Sequence, residues 1–85
     1  MRIIIDIPDY SPDQGIKYKW EDGFEIHVKI DGQQVVISAN KAGLNSLANH
    51  LINLAQIDIP AGHHMHLDEF NSLEQGSAEM IIEKI

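Results

Sequence analysis

The residues best suited to chemistry stand together in His63-His64-Met65-His66-Leu67-Asp68. On an extended strand, residues two apart share a face, so His64, His66 and Asp68 would project together at roughly 6.5–7 Å spacing. Two imidazoles and a carboxylate suit zinc or another first-row metal. The same alternation has a plainer meaning. Met65 and Leu67 would face a core, His64 and His66 would face water, and Asp68 would cap the turn that follows, as on an outer antiparallel strand. A third reading makes His64, His66, Asp68 and Glu69 a polar contact surface for a protein partner.

The string is similar to the His-x-His-x-Asp-His ligand run of metallo-β-lactamase-like hydrolases, but Glu69 stands where the last histidine belongs. The rest of that much larger fold is missing, which rejects the family. Other candidates are plainer. His27 and His50 read as surface histidines on the wet sides of a strand and a helix. Ser38, Ser46 and Ser77 lack a nucleophile-elbow context. The glycines are scattered singly and make no phosphate loop. Tyr18 and Trp20 read as core or rim rather than as a base-stacking platform.

Eighty-five residues with thirteen acidic and six basic side chains give a net charge of −7. With no Lys/Arg cluster to displace counterions, neither nucleic acid nor an anionic membrane is an expected partner. The absence of cysteine rules out disulfides and thiolate chemistry. A secreted domain this small usually carries staples, so a cytoplasmic location is expected. Met1–Asp6 lacks the apolar stretch of a signal peptide.

The elements that must position these residues are read from periodicity. A single domain, residues 1–85, is expected. Ile3, Ile5 and Ile7 alternate with Ile4 and Asp6, then a turn-rich stretch runs from Pro8 to Gly15. Ile16, Tyr18 and Trp20, then Phe24, Ile26, Val28 and Ile30, then Val35, Ile37 and Ala39 occupy alternate positions, which marks strands with one face buried. A two-residue turn at Asp31-Gly32 would pair Ile30 with Gln33, Val28 with Val35 and Ile26 with Ile37. A two-residue turn at Asp22-Gly23 would throw apolar residues onto opposite faces. A three-residue loop, Glu21-Asp22-Gly23 with Gly23 left-handed, instead sets Trp20 opposite Phe24.

The period then changes. Leu44, Leu47, Ala48, Leu51, Leu54 and Ala55 mark the core stripe of an amphipathic helix over about residues 41–57, with Asn45, Ser46, Asn49, His50, Asn53 and Gln56 opposite. Asn40 is its N-cap and Pro60 lies beyond its end. Strands are expected at His63–Asp68 and Ala78–Lys84, the second apolar on both sides as a central strand would be. A short helical turn from Asp68 lies between them. The expected fold class is α+β: a two-layer, mainly antiparallel β-sheet, in the order β-β-β-β-α-β-β, packed on one amphipathic helix.

Ser38-Ala39-Asn40-Lys41-Ala42-Gly43-Leu44, Leu47-Ala48, Leu51, Leu54-Ala55, His64-x-His66-Leu67-Asp68, Leu73, Gly76-Ser77-x-Glu79 and Met80-Ile81-Ile82 together resemble a family of small bacterial proteins, immunity protein 32 of polymorphic toxin systems. The likeness spans about residues 37–83. It implies a non-enzymatic protein-binding module that neutralises a cognate toxin by direct binding, and it implies no cofactor. An acidic inhibitor can be steered onto a basic toxin surface. The alternative is a small metal-binding protein or metal-dependent hydrolase using His64, His66 and Asp68. Eighty-five residues leave little concavity for a substrate, which counts against catalysis. Either a monomer or a homodimer fits; the edges of residues 1–7 or 78–85 are candidates for self-pairing.

Overall fold

A computed structural model describes all 85 residues. The chain is α+β, with strands β1 (Ile26–Asp31) and β2 (Gln34–Ala39), helix α1 (Lys41–Leu54), and strands β3 (His64–Leu67) and β4 (Met80–Glu83). The strands form two separate antiparallel hairpins, β1-β2 and β3-β4, rather than one sheet.

Hairpin β1-β2 pairs Ile26 with Ala39, Val28 with Ile37 and Ile30 with Val35. The register is two residues away from the expected one because the turn is centred on Gly32-Gln33, not Asp31-Gly32. Gly32 has φ +61°, and no non-glycine residue in the chain has positive φ. A turn on Asp31-Gly32 would have required positive φ at Asp31; with Gly32 first, only the glycine takes it. A shift of two keeps every side chain on its expected face.

The core lies between the hairpins. Ile26 and Val28 of β1 meet Met65 and Leu67 of β3 and Leu73 of the intervening turn. Segment 74–78 straps the outer edge of β1: Glu74 N donates to Ile26 O, Ala78 N to Val28 O, and Val28 N to Ser77 Oγ. Strand β4 is not central. It pairs with β3 alone, and Ile81 is exposed. Lys84 Nζ ties this hairpin to the helix end by donating to Gln56 O at 2.6 Å and Ile59 O at 2.7 Å.

The strands expected at 1–7 and 16–21 do not form. Some backbone groups there, and in the stretch between them, are taken up by side chains of the helix and of Gln56 beyond it. Asn49 Nδ2 donates to Asp6 O, Gln56 Nε2 to Pro8 O and Asn53 Nδ2 to Lys17 O, while Tyr10 N and Glu21 N donate to Gln56 Oε1 and Ser46 Oγ. Ser46, Asn49 and Asn53 are spaced three and four apart, so they line one face of the helix, and Gln56 follows just beyond its C-cap.

That polar face is turned inward. Gly43, Ser46, His50, Asn53 and Leu54 are buried, whereas Leu44 is 55% exposed and Leu51 49%. At 100° per residue, the helix is rolled by nearly a third of a turn from the orientation its leucines predict. Gly43 permits the contact, because an added Cβ would stand 2.5 Å from Glu25 O and 2.9 Å from Ile26 Cγ1. Asn40 caps the helix through Oδ1, which accepts from Gly43 N and from Glu25 N, while its Nδ2 donates to Gly23 O. The helix ends at Leu54 with Ala55 as C-cap, three residues before the expected limit.

The bulged three-residue hairpin loop expected at 21–23 does not form: no strand precedes it, and Phe24 N donates to Glu21 O, which closes a turn on Asp22-Gly23. Gly23 does take the left-handed φ of +77°, and the Trp20 and Phe24 rings stack with centroids 4.5 Å apart.

Candidate functional site

Strand β3 sets His64 and His66 on its outer face and Met65 and Leu67 in the core, as alternation requires. The two imidazoles meet edge to face with centroids 4.9 Å apart. Each is already engaged: His64 Nδ1 lies 3.1 Å from Gly62 O, and His66 Nδ1 lies 3.1 Å from Glu79 Oε1. Asp68 does not join them. Its Oδ1 accepts from Phe70 N at 2.8 Å and Asn71 N at 3.1 Å, so the carboxylate caps the turn. Glu69 turns away to accept from Gly76 N. No group of three or more His, Asp or Glu side chains is placed to hold a metal ion. The expected trio His64, His66 and Asp68 is therefore a pair of histidines beside a capping carboxylate.

Around the pair lies a surface that periodicity alone did not reveal. Phe70 is 90% exposed, held out by the turn that Asp68 caps. Ile81, directly opposite His66 across the hairpin, is also exposed. Glu79 completes the patch through its contact with His66. An exposed aromatic in the turn that follows a strand of exposed histidines is a composition suited to gripping a protein surface. Phe70 could have been found in the sequence: it follows a capping Asp68 in a turn, and the apolar contact of that turn is supplied by Leu73.

A second histidine site is buried behind this face. His50, expected on the wet side of the helix, has no exposed surface. Its ring meets Trp20 edge to face at 4.2 Å and Tyr18 at 5.1 Å. Neither ring nitrogen has a hydrogen-bond partner, and nor does the buried Tyr18 hydroxyl. Burial pushes the His50 pKa below its ordinary value and the Tyr18 pKa above its own, because each resists the charged form. A cleft of about 350 Å³ runs from these three side chains to His64, His66, Asn71 and Ser72. Tyr18 and Trp20 thus pack with a helix histidine and form no open stacking platform.

No helix is long and apolar enough to cross a membrane. No curated protein and no solved structure matches the chain. The family model described as Immunity protein 32 matches residues 34–85. That span begins at β2 and carries the helix, the histidine strand, the capped turn and β4. It covers more than half of the sequence, and the chain belongs to the immunity protein 32 family.

Proposed function

We propose that this protein is a non-enzymatic binding module that neutralises a cognate toxin in the cytoplasm by direct contact. Membership of the immunity family carries the reading. The contact surface joins the outer face of β3-β4, with His64, His66, Glu79 and Ile81, to the capped turn after β3, with Asp68, Glu69 and Phe70. Phe70 is the anchor, since a large exposed aromatic supplies contact area at low entropic cost. The carboxylates around it, on a chain of net charge −7, favour a basic toxin surface and fast association.

The test is co-expression with a toxin encoded beside this gene, followed by measurement of complex formation with purified proteins. Growth should be rescued and a stoichiometric complex recovered, and Phe70→Ala should weaken both. A toxin that remains fully active in the presence of excess folded protein would contradict the proposal.

A further inference from the structure

Strand β2 is unprotected in a way the rest of the chain is not. Val35 is 64% exposed, Ile37 44% and Val36 40%, so the strand shows apolar side chains on both faces. Its outer edge is open as well. Val28 spends its N–H and C=O on segment 74–78, so in the antiparallel pattern its partner Ile37 also points its backbone groups away from β1. The same holds for Val35, opposite Ile30.

Proteins normally blunt such edges with charge or proline. Gln33 to Asn40 contains neither, although the whole chain carries nineteen charged residues. The free edge of β4 is different, with Glu79 beside it and Glu83 within it. A neutral edge on an acidic protein is a place where two copies can meet without repulsion, whereas a basic partner would gain nothing there.

The helix adds to the same side of the hairpin. Gly43 packs on Ile26 and Ala39, which alternation places on the face shared by Val28, Ile37, Ile30 and Val35. Leu44 and Leu51, left out by the roll of the helix, are exposed. The accessible surface is 6246 Å² for a chain of 9.5 kDa. A folded monomer of that mass exposes about 5,000 Å². The excess is at least as large as the roughly 800 Å² each partner loses in a standard interface.

From these observations we infer that β2 is a homodimer edge: two copies pair β2 against β2 antiparallel and make a continuous four-stranded sheet. An antiparallel pair satisfies a two-fold axis normal to the sheet, so one patch serves both partners. Both helices then lie on the same side, where Leu44 and Leu51 extend the apolar contact. The proposed toxin-binding face on β3-β4 is separate, so the two readings fail independently.

Analytical ultracentrifugation of the full chain at high micromolar concentration, with amide hydrogen exchange, tests the inference. The expected mass is twice 9.5 kDa. Ile37→Lys on the edge and Leu51→Glu on the helix should each shift the population to monomer while the circular dichroism spectrum is retained. The Val35 and Ile37 amides of the unaltered protein should be protected at high concentration and exchange quickly on dilution, a readout that does not depend on either variant folding. A monomer at every concentration, a dimer indifferent to both substitutions, or fast exchange of those two amides throughout would overturn it. So would a monomer whose Val35 and Ile37 amides become protected only when toxin is added, since the edge would then belong to the toxin.

Discussion

Asn53 Nδ2 donates to the carbonyl oxygen of Lys17 at 2.7 Å, joining the helix to the N-terminal segment where a strand partner would otherwise be. Asn53 is buried, and its Oδ1 accepts from Gln56 Nε2 at 2.6 Å. Asn53→Ala removes both bonds, although Gln56 Nε2 keeps Pro8 O, and should cost about 1–2 kcal/mol in urea unfolding. Leu44→Ala, on the same helix, should cost under about 1 kcal/mol in dilute solution because Leu44 is largely exposed. An amphipathic helix packed on its leucines would give the opposite order.

Gly43→Ala tests the same packing from the backbone side. In an open helix, alanine gains roughly 0.5–1 kcal/mol over glycine. Here the new Cβ would meet Glu25 O at 2.5 Å, and a backbone carbonyl cannot step aside as a long side chain does. The substitution should destabilise by about 1–3 kcal/mol, read from the urea midpoint.

This roll explains which parts of the fold were legible. Alternation located β1 and β2, the histidine strand and β4, and it placed Met65 and Leu67 correctly inward. The Asn40 cap and the left-handed Gly23 followed from local chemistry. What pattern could not show was where Ile3–Ile7 and Ile16–Trp20 find their backbone partners. Period two says only that a segment is extended. Asn49 bonds to Asp6 O and Asn53 to Lys17 O, with Ser46 and Gln56 bonding to Glu21 N and Pro8 O beside them, and a polar helix face reads as solvated unless such partners are known.

Acid should weaken the fold through His50. In the unfolded chain its imidazole titrates near 6.5. In the folded chain burial holds its pKa lower, among Tyr18 and Trp20, with no charged partner to favour protonation. Well above pH 6.5 both states are neutral and His50 contributes no pH dependence. As pH falls below that value the unfolded state takes up the proton first, so stability declines by at most about 1.4 kcal/mol per pH unit from this group. Urea titrations between pH 8 and 5 should show the decline. His50→Leu should flatten it without loss of stability at pH 8, since it removes two unpartnered ring nitrogens.

Metal should have no hold on the histidine strand. A bound ion at a hundredfold excess over its Kd would add about 2.7 kcal/mol, and each kcal/mol raises the Tm of a domain this size by about 4–8 °C. Thermal melts with zinc and with EDTA should coincide, because Asp68 is committed to Phe70 N and Asn71 N and no third ligand stands by. His66→Ala should leave the melt unchanged while weakening toxin binding.

The most direct test of the central claim is titration of a toxin encoded beside this gene with the purified protein, scoring residual toxin activity. Direct neutralisation predicts inhibition that rises linearly and is complete at a fixed stoichiometry, and a right-shifted curve for Phe70→Ala. Full toxin activity at excess protein would contradict the account. So would protection by far less than stoichiometric amounts that grows with time, since that would be turnover and not binding.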